Sequence, residues 1–148
     1  IKICKQCFYI HENSDGYCEI CRNPKRNKKI IAIVEKETDL MSLENTGNFG
    51  GRYLILGDLR KNGVLETEQK LRLQSLKAWI TEQLGGTAEE IIVAINPSTY
   101  GDLNASLITK EMEGMALKIS KLGRGIPTGG EIEFADDETL KSALERRL

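Results

Sequence analysis

All four cysteines of this 148-residue chain lie within its first 21 residues. They form two pairs, Cys4-Lys5-Gln6-Cys7 and Cys18-Glu19-Ile20-Cys21. Each C-x2-C knuckle turns two thiols toward one point, and two knuckles supply the four sulfur ligands of a closed, structural zinc site with no open position for catalysis. The alternative is a pair of disulfides, which needs an oxidising compartment for which the sequence gives no sign. His11, between the knuckles, is a further ligand type, but with four thiols available it reads as an exposed loop residue. Asn13, Ser14, Asp15 and Gly16 are turn formers that close the loop between the knuckles. The segment has too little apolar content to fold alone and depends on its metal.

After Cys21 come Arg22, Lys25, Arg26, Lys28 and Lys29, with no acid among residues 22–29. This is the one concentrated basic patch. It reads either as a phosphate-contacting surface or as a solvated linker. The whole chain carries 21 basic and 22 acidic side chains, a formal net charge of -1, so no general positive field draws in nucleic acid or an anionic membrane. The longest apolar runs, 30–34 and 91–95, are far short of the ~18 residues of a membrane span. No leader is evident, and a cytoplasmic location is expected. The chain begins at Ile1 rather than Met, as a piece of a longer protein would.

From Lys29 onward, short apolar runs alternate with helical patterns, the mark of an α/β fold with a mostly parallel sheet and helices on both faces. Strands are expected at Ile30–Val34, Tyr53–Leu56, Ile91–Ile95 and Leu117–Leu122. Helices are expected after Thr38 as N-cap, carrying Leu40, Met41 and Leu43; from Glu66 to Leu84, stopped by Gly85-Gly86; from about Asp102 to Met115; and from Asp136 to Leu148. In the second, Leu73, Leu76, Ile80 and Leu84 face the core while Glu68, Lys70, Arg72 and Lys77 face water. In the last, Leu140, Ala143, Leu144 and Leu148 share a face that packs on the sheet or on another subunit. Ile132–Asp136 alternates like an edge or half-buried strand, with Asp136 as a cap of the final helix.

Ligands of such sheets bind at the carboxyl ends of the strands, which points to Glu35, with Glu37 and Asp39 nearby, and to Asn96–Asp102. Acids gathered there are candidates for Mg²⁺ and phosphoryl transfer, or simply solvated and helix-capping groups. Gly123, Gly125, Gly129 and Gly130 lack the strand-to-helix setting of a phosphate loop and read as turns.

Taken in order, several motifs carry a family resemblance. They are the zinc knuckles, Ile33-Val34-Glu35 with Asp39-Leu40, Glu44-Asn45-Thr46-Gly47, Gly51 and Tyr53, Ala94-Ile95-Asn96-Pro97-Ser98 with Gly101, and the run from Gly123 to Asp136 followed by Thr139-Leu140 and Ala143-Leu144. Together they resemble the RecR recombination mediators over nearly the whole chain. The resemblance implies a zinc finger at 1–28, a Toprim domain at 29–122 and a glycine-rich C-terminal segment with a helix at 123–148. It implies one structural Zn²⁺ on Cys4, Cys7, Cys18 and Cys21, and no catalytic residues.

The implied role is non-enzymatic: helping to load a recombinase onto single-stranded DNA in repair, together with RecO-like and RecF-like partners, as a homo-oligomer and away from membranes. Glu35 matches the Toprim acidic position, and Glu35 and Asp39 are the expected partner-binding residues. Arg22, Lys25, Arg26, Lys28 and Lys29 are the expected DNA contacts. Asn96 and Ser98 stand where catalytic Toprim domains carry two aspartates, Tyr100 where relatives carry an acid, and the loop after Gly57 is short. The family's N-terminal helix-hairpin-helix does not precede Ile1. The alternative is a metal-dependent nuclease or primase-like enzyme using Glu35 and Asp102.

Overall fold

The computed structural model of the chain describes residues 1–59, 63–97 and 99–148. Two short strands, β1 (Lys2–Ile3) and β2 (Ile10–His11), pair antiparallel at the N-terminus. A one-turn helix, α1 (Glu19–Arg22), follows, capped by Cys18, whose Sγ accepts the Cys21 N–H at 3.5 Å. The main domain runs β3 (Ile30–Val34), α2 (Glu37–Glu44), β4 (Arg52–Ile55), α3 (Thr67–Gln83), β5 (Ala88–Val93), α4 (Thr99–Glu111) and β6 (Ala116–Lys121). A 3₁₀ turn at Ile132–Phe134 and α5 (Asp137–Glu145) complete the chain.

The four long strands form one parallel sheet in the order β4-β3-β5-β6. The β-branched run of β3 explains its central place, because both of its faces are buried. Ile31 and Ile33 enter a core with Leu54, Leu73, Leu76, Ile80, Ile91 and Ile108, under α3 and α4. Ala32 and Val34 enter another with Leu40, Tyr53 and Ile55, under α2, where Phe8, Tyr9 and Ile20 of the cysteine module also pack. Helices therefore cover both faces, as the α/β pattern requires. No helix among the described residues is long and apolar enough to cross a membrane.

Several elements depart from the sequence expectation. Helix α2 starts at Glu37, with Lys36 as an N-cap that makes no side-chain bond, so Thr38 lies inside the helix. The extended Lys36 already offers its carbonyl to Asp39 N–H at 3.1 Å, leaving no room for a later cap. Strand β4 runs one residue earlier than expected at both ends, because its register pairs Arg52 with Ile31 of β3. Strand β5 reaches back to Ala88, and the Glu90 carboxylate accepts the Ser120 hydroxyl of β6 at 2.6 Å. Helix α4 ends at Glu111 rather than Met115 because Gly114 takes φ 81°, a left-handed conformation that stops the helix.

Ile132–Phe134 closes on itself instead of joining a sheet: Phe134 N–H bonds the Glu131 carbonyl and Ala135 N–H bonds Ile132, both at 3.2 Å. Asp136 does cap α5, accepting the Thr139 N–H at 2.7 Å. Among the described residues no α5 side chain joins either core beside the sheet, and Leu144 is 64% exposed.

Gly51, just before β4, approaches the neighbouring strand closely, so a Cβ there would lie 2.3 Å from the Ile30 carbonyl oxygen. A backbone oxygen held in a sheet cannot retreat. Gly51→Ala should destabilise the chain by about 1–3 kcal/mol, read as a lower urea midpoint, whereas Gly50→Ala, where nothing lies within 4 Å, should not.

Candidate metal centre and strand-end site

The four cysteines are buried and unbridged, and their sulfurs lie within 4.8 Å of one another. A tetrahedral tetrathiolate with metal–sulfur bonds of ~2.3 Å places its sulfurs about 3.8 Å apart. The observed cluster fits that geometry, with Cys7 and Cys18 sulfurs 3.5 Å apart. Backbone N–H groups of Gln6 and Cys18 point at the Cys4 sulfur, and that of Tyr9 at Cys7, at 3.4–3.5 Å, as expected of sulfurs meant to carry charge. Hydrogen bonds among the thiols, from Cys18 first, hold Cys4 well below its usual pKa and push Cys7 far above it. Four thiolates cannot coexist at this spacing without a cation among them. Disulfides are absent, and among the described residues these cysteines are the only such cluster of metal-donor side chains.

His11 is not a ligand. It is half-buried in β2 rather than exposed in a loop, and its Nδ1 accepts the Asn13 N–H at 3.0 Å.

The first knuckle docks on the free edge of β4. Ile55 N–H bonds the Cys7 carbonyl at 2.9 Å. Three carbonyls on that edge are each taken by an arginine: Gly51 by Arg26 at 2.8 Å, Tyr53 by Arg52 at 3.2 Å, and Ile55 by Arg72 at 2.9 Å. Arg52 also donates to the Gln6 carbonyl at 3.0 Å, inside the first knuckle, and lies over the Trp79 ring at 4.5 Å. Arg72 stacks on Phe8 at 4.6 Å and pairs with Glu68 at 2.8 Å. Arg26 pairs with Glu44, which also accepts the Tyr53 hydroxyl at 2.6 Å. Sequence periodicity turns Arg72 to water, starts the strand after Arg52 and offers Arg26 to DNA. Its patterns score charge as exposure, and the one available signal was a lone arginine at the head of an apolar run.

The rest of the basic stretch faces outward. Lys25 and Lys29 are exposed and Lys28 is half-exposed, while Arg22 pairs with Asp15 at 3.3 Å and Glu19 at 3.4 Å. The side chain of Arg26 is only 12% exposed.

At the carboxyl edge of the sheet, Glu35 follows β3 and accepts the Leu59 N–H at 3.0 Å. It lines a small hollow of about 150 Å³ with Asn96, Tyr100 and Asn104. Beside it a groove of about 340 Å³ is lined by Asp39 and Ser42 of α2, Asn96, Asp102, Lys121 and Arg124. Asp102 is ion-paired with Arg124. The two acids of the enzyme reading thus line different hollows, and one is already neutralised. Ser98 lies outside the described residues. In the glycine-rich segment, Gly130 N–H bonds the Pro127 carbonyl at 2.8 Å with Gly129 at φ 90°, a tight turn that asks for glycine.

Comparison with known proteins agrees with this architecture. A Toprim domain model matches residues 29–123 and a model of the RecR C-terminal region matches residues 125–147. The Recombination protein RecR of Nocardioides sp. is 33% identical over 149 residues, covering 99% of this chain and 71% of the relative. The chain belongs to the RecR family. Its namesakes from Gloeobacter violaceus and Clostridium perfringens are 34% and 35% identical, each over 99% of the chain. The RecR-type resemblance of the knuckles, strand ends and glycine-rich signature therefore holds across the chain.

The cysteine cluster carries its own check. A chain purified with its metal should hold one equivalent, lose it to excess chelator, and then be cut by protease within residues 1–28 before the sheet is. Cys18→Ser should bring the same sensitivity without chelator, whereas equal resistance in all three states would remove the metal from the fold.

Proposed function

We propose that the chain acts as a non-enzymatic recombination mediator in DNA repair, helping to load a recombinase onto single-stranded DNA with RecO-like and RecF-like partners. The observation that carries the reading is the RecR-family match along 99% of the chain. The engaged state of the strand-end acids supports it further, since Glu35 is held by a backbone N–H and Asp102 by Arg124. The ion of the cysteine cluster is zinc, one per chain, with a purely structural role. Four thiolates satisfy a tetrahedral ion completely and leave no position for water or substrate.

Partners dock on the carboxyl edge of the sheet, where Glu35 and Asp39 present negative charge beside the groove. DNA is met by Lys25, Lys28 and Lys29, with Arg22 at the margin and Arg26 as their internal brace. The apolar residues left open at the C-terminal end, Ile132 at 70%, Phe134 at 79% and Leu144 at 64% exposure, support assembly of the chain with copies of itself.

Two measurements test this. Glu35→Lys or Asp39→Lys should weaken capture of a RecO-like or RecF-like partner at least tenfold while metal content and melting temperature stay put; unchanged capture would move the partner surface elsewhere. Replacing Lys25, Lys28 and Lys29 by Gln should weaken single-stranded DNA binding and flatten its log–log salt slope by about 2, at ~0.7 per phosphate contact. An unaltered slope would exclude this patch. Mg²⁺- or Mn²⁺-dependent cleavage or synthesis abolished by Glu35→Gln would instead restore the enzyme reading.

A further inference from the structure

Arg52 is an unusual residue for its position. It is 1% exposed, and its Nε and Nη1 are buried with no hydrogen-bond partner. Among the described residues it has no carboxylate partner, unlike Arg22, Arg26, Arg72 and Arg124, each of which pairs with an acid. Its third nitrogen is anchored to the Gln6 carbonyl, between two of the metal-binding cysteines. Four thiolates exceed a divalent cation by two negative charges, so the loaded site is itself a buried anion.

We infer that Arg52 is the counter-cation of the metal centre: a positioning residue, outside the sulfur shell, that tightens metal binding by neutralising the excess charge of the four thiolates. Burial pulls the Arg52 pKa below its usual value, and the negative charge of the cysteine sulfurs, Cys21 first, opposes that shift in part. Groups just outside a metal's ligands commonly tune affinity in this way. The arrangement also makes the coupling reciprocal. Metal makes the buried guanidinium tolerable, and the guanidinium makes the tetrathiolate tolerable, so occupancy of the finger is felt at the edge of the Toprim sheet.

The inference rests on the cysteines holding a divalent ion, and the test separates the two claims. Zn²⁺ is titrated into the stripped full chain against a competing chromophoric chelator, for the unsubstituted protein, Arg52→Met and Arg52→Lys. Failure of the unsubstituted chain to take up Zn²⁺ would overturn the metal reading itself. Given uptake, Arg52→Met should bind Zn²⁺ about 10- to 100-fold more weakly, and Arg52→Lys, which keeps the charge, should recover part of the loss.

A packing role alone would lower the melting temperature of stripped and loaded protein equally. The counter-cation role lowers the loaded form more, so the stabilisation that Zn²⁺ confers shrinks in Arg52→Met. Equal Zn²⁺ affinity in Arg52→Met and the unsubstituted chain, or equal melting losses with and without metal, would overturn the inference. If Arg52→Met does not fold, Arg52→Gln is compared with Arg52→Lys under the same criteria.

Discussion

The free edge of β4 is the constraint on which the rest of the structure depends. An open parallel sheet ends in a strand with unpaired N–H and C=O groups, which invites pairing with other chains and costs free energy wherever water is excluded. Here the edge is closed without a fifth strand. The Cys7 carbonyl takes the Ile55 N–H, and three guanidinium groups take the carbonyls of Gly51, Tyr53 and Ile55. Each arginine also grips something else: Arg26 holds Glu44 of α2, Arg52 the first knuckle, and Arg72 the ring of Phe8. The sheet edge, α2 and the metal module are thus tied together by these contacts.

The magnitudes favour a charge partner for the middle arginine. A cation stacked on an indole gains about 0.5–2 kcal/mol, whereas burying an unpaired ion costs several kcal/mol even after relaxation. Trp79 and two carbonyls do not close that gap for a fully buried guanidinium. Arg26 and Arg72 each have a carboxylate to do so, whereas Arg52 is tied to the Gln6 carbonyl between Cys4 and Cys7, which makes the sulfur cluster its candidate partner.

Much of the fold was legible because apolar periodicity reports burial directly. Ile30–Val34 reads as a strand buried on both faces, and it is the central one; Leu73, Leu76 and Ile80 read as a helix stripe, and they line the core. The metal site was legible for a stronger reason: tetrahedral geometry with two-residue knuckles leaves few other uses for that spacing. The arginines were not legible, because a charged side chain is buried only when a particular distant carbonyl or acid is waiting, and no local pattern encodes that partner. The C-terminal region failed differently. Ile132 and Phe134 alternate as in a strand, but their backbone closes in local i to i+3 bonds and joins neither edge of the sheet, and alternation alone does not tell the two outcomes apart.

The strand-end crevice follows from the order of the strands. The order β4-β3-β5-β6 puts the connection after β3 and that after β5 on opposite sides of the sheet, opening a crevice between Glu35 and Asn96. A two-metal site needs several unengaged carboxylates converging there. This chain presents an amide at Asn96, spends Asp102 on Arg124 of the segment after β6, and ties Glu35 to the Leu59 N–H. Glu35 and Asp102 are thus engaged within the chain, in a crevice whose rim mixes the carboxylates of Glu35, Asp39 and Asp102 with the cations Lys121 and Arg124, so any partner met there would be selected by charge pattern rather than by net charge.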